Sequence, residues 1–217
     1  MLEKMDDFFN SRLSGYEAHQ LNVIESATEF YPFTASCLPG KKNAHILDLG
    51  CGTGLELGYY YDLNPTAKVT GIDVAADMLN ALEKKFAGFS PVLIHGSYFT
   101  VPFGNERYDA AVSVESLHHF TSDEKLPLYK KLLYALRTGG FFILTDYFAS
   151  SDEEERHYRE EYARLRAEQG INDDSFYHYD TPLTLEHEIQ TLRKAGFISV
   201  DVIGGWGATH TIKAVRR

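Results

Sequence analysis

The chain has 217 residues, of which 31 are acidic and 21 basic, so its formal net charge is −10. This length suits one domain with a substantial core, and the acidic balance disfavours nucleic acid, which attracts basic surfaces. Cys37 and Cys51 are the only cysteines, too few for a disulfide framework. No stretch reaches the roughly 20 apolar residues of a membrane span and no signal peptide is visible. We therefore expect a cytoplasmic protein that binds neither nucleic acid nor membrane.

Short apolar runs alternate along the chain with segments of helical spacing. The runs predicted as strands are 44–49, 67–73, 91–96, 108–114, 140–147, 198–203 and 209–215. Helical periodicity covers 55–63, 76–86 and 126–137, and Gly139-Gly140 is expected to end the last of these helices. The alternation predicts an α/β fold with a mostly parallel sheet and helices on both faces. Because only GGWGA separates the last two runs, we expect them to form an antiparallel hairpin at one edge of the sheet.

Two segments stand outside this alternation within the single domain expected for 1–217. Residues 1–40 look helical and are predicted to form an N-terminal cap. Residues 148–183 begin as a helix with Ser150 or Ser151 as its cap and four acids in its first turn. Because this insertion follows a predicted strand, it should lie over the carboxyl edge of the sheet, either as a lid or as a plain solvated helix.

The stretch HILDLGCGTGLE, residues 45–56, places Gly50, Gly52 and Gly54 between the first strand and the first helix of the alternation. Glycines at this turn let backbone N–H groups and the helix N-terminus approach a ligand closely. In open α/β sheets the ligand lies beyond the carboxyl ends of the strands. A glycine trio alone is weak evidence, since such turns also occur for conformational reasons.

An acid at the end of the second strand strengthens the interpretation. Asp73 closes KVTGID, 19 positions after Gly54, where a carboxylate can accept hydrogen bonds from ribose hydroxyls. The glycine spacing departs from the dinucleotide fingerprint, with Leu55 in place of its third glycine. Asp48 adds a negative group beside the loop, which suits a cationic ligand better than a pyrophosphate. A nucleoside-type ligand is therefore predicted, and NAD is disfavoured.

The blocks ILDLGCGTGLE, GIDVAADML, HGSYFTVPF, YDAAVSVESLHHF and LRTGGFFILTDY resemble, in order and spacing, those of class I S-adenosylmethionine-dependent methyltransferases. The resemblance is strong over residues 40–147. It implies a Rossmann-like seven-stranded sheet with a C-terminal antiparallel hairpin. It also implies S-adenosyl-L-methionine as cofactor and S-adenosyl-L-homocysteine as product.

Carried over to this sequence, the resemblance implies a cofactor site around the glycine loop. The methionine moiety would lie against Gly50 and Gly52, with Asp48 near its amino group, and Asp73 would hold the ribose. Ser97 stands where many relatives carry an acid that binds the adenine amino group. Met78 and Tyr98 would be apolar neighbours of the adenine, although Met78 fits core packing equally well.

The methyl acceptor should be held at the ends of the fourth and fifth strands and by whatever covers them. The groups able to help there are Glu115, His118, His119, Asp146, Tyr147, Tyr16 and His19. Of these, Asp146, His119 and Tyr16 are the candidates for direct catalytic contacts. No metal site is expected at His118-His119, because adjacent residues point in different directions on a helix. The cluster SFYHYD, 175–180, suits either enclosure of a flat or cationic molecule or packing of the lid.

The sequence thus predicts a methyltransferase that acts on a small-molecule acceptor. VESLHH replaces an Asn-Pro-Pro-Tyr-like element after the fourth strand, which argues against amino-group methylation of bases or glutamine. Three alternatives remain: an enzyme that makes or uses a modified S-adenosylmethionine, a non-catalytic module that binds it, and a nicotinamide oxidoreductase. Trp206, in the final turn, could contact a second copy in a homodimer or simply form the hairpin tip.

Overall fold

The computed structural model describes all 217 residues and contains one seven-stranded sheet of order β3-β2-β1-β4-β5-β7-β6. The strands are β1 His45–Leu49, β2 Lys68–Asp73, β3 Val92–His95, β4 Tyr108–Val114, β5 Leu136–Tyr147, β6 Ser199–Trp206 and β7 Thr209–Val215. The first five run parallel, and β7 pairs antiparallel with both β5 and β6. This confirms the predicted mostly parallel, Rossmann-like sheet with its hairpin at one edge.

Eight helices accompany the sheet. They are α1 Met5–Arg12, α2 Tyr16–Val23, α3 Ala27–Ser36, α4 Leu55–Leu63, α5 Ala76–Lys85, α6 Ser122–Ala135, α7 Asp152–Glu168 and α8 Leu185–Ala195. Buried side chains of α3, α4 and α5 form the core on one face, and those of α6 and α8 form the core on the other. None of the helices is long and apolar enough to cross a membrane.

Helix caps follow the sequence signals in two cases and depart from them in one. Ser151 accepts a hydrogen bond from the Glu154 N–H and caps α7, and Gly196 ends α8 in the left-handed conformation. The prediction that Gly139-Gly140 ends α6 is wrong, because α6 ends at Ala135 and β5 begins at Leu136. The Leu136 backbone is already extended and pairs with β4, so strand pairing takes over before the glycines are reached.

The hairpin is also tighter than GGWGA suggested. Strand β6 continues through Trp206, and its pairing with β7 shifts register between Val202 and Gly204. The Trp206 indole packs against Phe33 and donates a hydrogen bond to Glu29 of α3 at 3.1 Å. Contacts within the chain therefore hold this tryptophan.

Two ionic clusters join elements of the fold. Asp109, at the start of β4, accepts hydrogen bonds from Lys41 and Arg137 at 2.6 Å each and from the His45 N–H at 2.8 Å. Lys125 of α6 and Glu188 of α8 form a fully buried ion pair at 2.5 Å. The first cluster joins β4 to β1, to β5 and to the segment before β1, and the second joins α6 to α8.

Helix α1 and the end of the 148–183 insertion form a roof over the carboxyl edge of the sheet. The Met5 N–H donates to the Phe176 carbonyl and the His178 N–H to the Glu3 carbonyl, at 2.9 Å each. The Phe8 and His178 rings are stacked with centroids 3.4 Å apart. Thr181 fixes the other end of this segment by donating its N–H to the His118 carbonyl at 2.9 Å.

Candidate functional site

The glycine loop follows β1 at the point where the strand order reverses between β1 and β4, the usual position of a ligand in such sheets. Gly50, Gly52 and Gly54 have φ values of +74°, +47° and +70°. Residues other than glycine rarely adopt this left-handed backbone conformation. A Cβ on Gly50 would lie 2.0 Å from the Ser116 hydroxyl, whereas one on Gly52 would have nothing nearer than Tyr16 at 3.9 Å. A side chain therefore has no room at Gly50, whereas the space beside Gly52 is open.

Asp73 holds this loop from the end of β2. Its carboxylate accepts hydrogen bonds from the Gly52 N–H and from the Ala75 N–H, each at 2.8 Å. Each carboxylate oxygen has a second lone pair, and the side chain lines the cavity described next. Asp73 can therefore position the loop and accept further bonds from a ligand at the same time.

A cavity of about 580 Å³, part of it open to solvent, lies against the loop, and we call it the glycine-loop cavity. Eight of the eleven predicted site residues line it: Tyr16, Gly50, Gly52, Asp73, Met78, Ser97, Tyr98 and His119. The other lining residues are Met5, Phe9, Val74, Glu115, Ser116, Phe120 and Phe176.

Three of the predicted residues, Ser97, Tyr98 and Met78, contribute polar, aromatic and apolar groups to the cavity wall. The Tyr98 hydroxyl donates to the Ser116 carbonyl at 3.2 Å. Ser97 accepts a hydrogen bond from the Phe99 N–H at 3.2 Å, which leaves its hydroxyl hydrogen and one lone pair free. Met78 is almost fully buried yet reaches the cavity wall, so core packing and ligand contact are compatible for this side chain.

Asp48 and Gly54 do not line the cavity. Asp48 is 1% exposed, and its carboxyl faces the buried Glu56 carboxyl behind the loop. Burial, reinforced by the Glu56 charge, raises the pKa of Asp48 well above its ordinary value. Gly54 instead begins α4, and a Cβ there would meet the Phe86 ring at 2.9 Å. Both residues therefore lie behind the loop, outside the cavity that the other predicted cofactor residues line, and direct cofactor contacts by them stay a prediction.

A second, wider cavity adjoins the first beneath α1 and α2, and we call it the outer cavity. The two cavities share four lining residues, which we call the seam: Phe9, Tyr16, Glu115 and His119. The outer cavity is also lined by His19, His118, Tyr147, His178, Asp180 and Trp206. Residues from the N-terminal cap, the β4 and β5 ends and the insertion therefore meet around one space.

His119 is the seam residue best placed to move a proton. Its Nδ1 lies 3.1 Å from Asp180 Oδ1 and 3.2 Å from the Tyr179 carbonyl, so Nδ1 is assigned the hydrogen. Its Nε2 is buried without a partner. Burial, together with the charge of His118, lowers the pKa of His119. The ring is therefore neutral at pH 7, with an Nε2 lone pair that can accept a proton.

Asp146 does not face either cavity, although it was a candidate for direct substrate contact. Its carboxylate accepts from His118 Nδ1 at 2.5 Å, from the Leu117 N–H at 2.9 Å and from the Tyr147 N–H at 3.1 Å. Burial acts against the charge on His118, but the Asp146 carboxylate outweighs it and raises the pKa of His118 to about 9. Asp146 is thus a positioning residue that orders the turn after β4, because its oxygens are already occupied.

The structure also overturns the argument that His118 and His119, as neighbours on a helix, must point in different directions. Residues 117–119 form a turn, not a helix, and the His118 and His119 rings are 4.0 Å apart. His118 Nε2 lies 3.5 Å from Asp180 Oδ1, so both rings converge on one carboxylate. Ligand-capable atoms of these three residues lie within 4.8 Å of one another.

Tyr16 stands at the seam with a phenol that stays protonated. Burial, with the charge of Asp73, raises its pKa further above the ordinary value. Its ring contacts Phe9 edge to face at a centroid distance of 6.3 Å. Tyr16 can therefore donate a hydrogen bond but cannot serve as a base at neutral pH.

Sequence reasoning did not assign Phe9 or Ser116 to the site, and it treated Phe176 and Asp180 only as members of the 175–180 cluster. Ser116 directly follows the β4 end, so its position was a usable signal. Phe9 and Phe176 come from segments far apart in the chain, and nothing in their local pattern indicates that both face the same cavity.

Comparison with known proteins agrees with this geometry. The family description "Methyltransferase domain" matches residues 46–140. An O-methyltransferase of Penicillium expansum, cnsE, is 27% identical over 166 residues, which cover 73% of this chain and 53% of that protein. A carboxy-S-adenosyl-L-methionine synthase of Campylobacter lari is 21% identical over 219 residues, which cover 97% of this chain and 90% of that protein. The chain thus spans about half of the first relative and most of the second.

Among solved structures, an S-adenosylmethionine-dependent methyltransferase of Thermotoga maritima superposes with a TM-score of 0.69 at 19% identity, covering 98% of this chain and 100% of that one. At this identity the likeness concerns the fold. The matched domain, the strand order and the glycine loop with its supporting acid agree with one another. Residues 46–140 thus match the methyltransferase domain family, and the chain as a whole has the fold of class I S-adenosylmethionine-dependent methyltransferases.

Proposed function

We propose that this protein transfers a methyl group from S-adenosylmethionine, bound in the glycine-loop cavity, to a small molecule bound in the outer cavity. The seam carries the proposal, because it gives the two cavities a common wall of Phe9, Tyr16, Glu115 and His119. Methyl transfer is an in-line displacement that requires donor and acceptor to meet at about 3 Å. Two separate but adjoining cavities meet that requirement.

The residues of the glycine-loop cavity fit S-adenosylmethionine. Gly52 presents bare backbone to the cavity, and Asp73 offers the free lone pairs that two ribose hydroxyls need. Ser97 keeps a lone pair for an adenine amino group, and Met78 with Tyr98 supplies apolar and aromatic contact. When bound, S-adenosylmethionine supplies a methyl group on a positively charged sulfur.

The chain's own residues position and deprotonate the acceptor. His119 Nε2 accepts the proton, while the Tyr179 carbonyl, 3.2 Å from Nδ1, fixes the ring and the Asp180 carboxylate, 3.1 Å from Nδ1, stabilises its protonated form. The Tyr16 hydroxyl donates a hydrogen bond at the seam. The roof of α1 and the 176–181 segment shields the reacting atoms from water, which is the lid role, one of the two alternatives given for the insertion.

A second candidate is synthesis of a modified S-adenosylmethionine, because the carboxy-S-adenosylmethionine synthase aligns with nearly the whole chain. A carboxylic acid that donated this group would be an anion at neutral pH. Arg12 is the only lysine or arginine that lines either cavity, and Glu3 holds its guanidinium at 2.9 and 3.1 Å. The outer cavity instead presents the carboxyl groups of Glu25, Glu115 and Asp180. Its charge therefore favours methyl transfer.

The test combines calorimetry with a transfer assay that follows radiolabelled methyl groups and S-adenosylhomocysteine. We expect wild-type protein to bind S-adenosylhomocysteine and to methylate members of a small-molecule panel. His119→Gln should lower kcat by about 10²-fold or more, as expected for loss of a general base, with unchanged cofactor affinity. His157→Gln, on the exposed face of α7, is the matched control.

Binding of S-adenosylhomocysteine without any turnover would instead indicate a non-catalytic module. A new adenosyl product, detected by mass spectrometry, would favour the second candidate. Equal loss of kcat in the two histidine variants would reject His119 as the base.

A further inference from the structure

The seam contains two buried hydrogen-bond acceptors that nothing in the protein satisfies. They are Glu115 Oε1 and His119 Nε2, each of which lacks a partner. Leaving a buried polar atom unpaired costs about 1–3 kcal/mol. Two such atoms on the wall shared by both cavities indicate a ligand group that donates more than one hydrogen bond.

The backbone at Glu115 is held in an unusual conformation that directs its side chain. Glu115 has a φ of +49°, one of five non-glycine residues with a positive φ. Its N–H donates to the Thr145 carbonyl at 2.9 Å, so the pairing of β4 and β5 fixes this geometry. Strained residues that the surrounding structure holds in place are concentrated at functional sites.

The number of hydrogen bonds that a chemical group can donate distinguishes the possible methyl acceptors. A hydroxyl donates one hydrogen bond, whereas an ammonium donates three, and a carboxylate donates none. Of these three groups, only an ammonium can bond to Glu115 and His119 together and still have a hydrogen to spare. A hydroxyl would leave one of the two acceptors unpaired.

The charges around the seam point the same way. Asp180 adds a carboxylate to the outer cavity, and the positive His118 is balanced by Asp146 at 2.5 Å. Burial, with the charge of Asp146, raises the pKa of Glu115 to about 8, so a cation that arrives there stabilises its ionised form. Aromatic rings such as Phe9 and Tyr16 also attract cations through their faces.

Building on the proposed function, we propose that the acceptor is an amine that enters as an ammonium group held between Glu115 and His119. One ammonium proton passes to His119 Nε2, and the electron pair of that N–H bond stays on the amine nitrogen. This nitrogen forms the new bond to the methyl carbon as the carbon–sulfur bond breaks, with its electron pair remaining on sulfur. The products are an N-methylated ammonium and S-adenosylhomocysteine, and His119 then returns its proton to water.

The test measures binding of three ligands of similar size to protein saturated with S-adenosylhomocysteine. The probes are benzylammonium chloride, benzyl alcohol and sodium benzoate, followed by calorimetry or by ligand-observed NMR. We expect benzylammonium to bind at least tenfold more tightly than the other two. Glu115→Gln, which keeps the size of the side chain, should remove that preference and leave the affinity for S-adenosylhomocysteine unchanged.

Glu25→Gln is the control for a general negative field, because Glu25 lines the outer cavity away from the seam. It should retain the preference. If Glu115→Gln does not fold, Glu115→Asp keeps the charge, shortens the side chain and should weaken benzylammonium binding alone.

Four results would overturn the inference while leaving methyl transfer intact. These are equal or stronger binding of the alcohol or benzoate, an unchanged preference in Glu115→Gln, an equal loss in Glu25→Gln, and a loss of S-adenosylhomocysteine affinity in Glu115→Gln. The last would assign Glu115 to the amino group of the cofactor. Failure of the wild type to bind S-adenosylhomocysteine would instead reject the proposed function itself.

Discussion

Asp73 is the residue whose removal should most affect cofactor binding. Its carboxylate accepts the Gly52 and Ala75 N–H groups at 2.8 Å each and faces the glycine-loop cavity. Hydrogen bonds to charged groups contribute about 1.5–3 kcal/mol each, and 1.4 kcal/mol corresponds to a tenfold change in affinity. Loss of the ribose contacts and of the bond that fixes Gly52 should therefore weaken binding by at least tenfold.

Two variants separate the charge from the shape of this side chain. Asp73→Asn keeps the shape but turns an NH₂ group toward one of the two backbone donors, and Asp73→Ala removes both acceptors. We expect at least a tenfold rise in the Kd for S-adenosylhomocysteine with Asn and a larger rise with Ala. Ala should also reduce the free energy of unfolding by about 1–3 kcal/mol, because it leaves buried N–H groups unpaired.

Calorimetry with S-adenosylhomocysteine measures the affinities, and urea unfolding measures the stability of each variant. Asp77→Asn is the matched control, because Asp77 is exposed on α5 close by in the chain. An Asp73→Asn protein whose Kd stays within threefold of the wild-type value would refute the assignment of Asp73 to the ribose.

Three further predictions follow from other contacts. Gly50→Ala places a Cβ 2.0 Å from the Ser116 hydroxyl at a φ of +74°, so the affinity for S-adenosylhomocysteine should fall at least tenfold. Ser116→Gly in the same chain should restore part of that affinity. Absence of any rescue would contradict a steric cause. Lys125→Met leaves the buried Glu188 charge without its partner and should lower the free energy of unfolding, measured in urea, by about 3–5 kcal/mol. Adding Glu188→Gln should recover most of that loss. A loss below 1 kcal/mol would argue against the buried pair. Hydrogen bonds from its two cationic partners and a backbone N–H outweigh burial and lower the pKa of Asp109 to about 2. Asp109 therefore contributes about 1 kcal/mol to the free energy of unfolding, a value reduced by solvent screening of those partners. This contribution is present above pH 4 and is lost as the pH falls toward 2. Asp109→Asn should destabilise at pH 7 and progressively less below pH 4, and a constant difference in unfolding free energy would contradict this.

Local sequence signals were sufficient for the sheet and the glycine loop. The alternation of apolar runs with helical spacing predicted all seven strands, because a buried parallel strand needs a continuous apolar run and a crossover helix needs a 3.6-residue period. The glycines and Asp73 were recognisable because their roles depend on backbone conformation and on position at a strand end, both of which are local properties. The end of α6 was mispredicted because pairing of Leu136 with β4 is a tertiary contact that outweighs the glycine signal.

The acceptor side depended on contacts that no local pattern records. His119 has a free Nε2 only because the Tyr179 carbonyl, 60 residues later in the chain, accepts its Nδ1 hydrogen. Asp146 looked available from its place at a strand end, yet the turn that follows β4 occupies its oxygens. The sequence by itself determined the fold class, the glycine loop and its acid, since these are set by periodicity and chain geometry. Only the tertiary structure decided which side chains form the seam, because that depends on how distant segments pack over the carboxyl edge of the sheet.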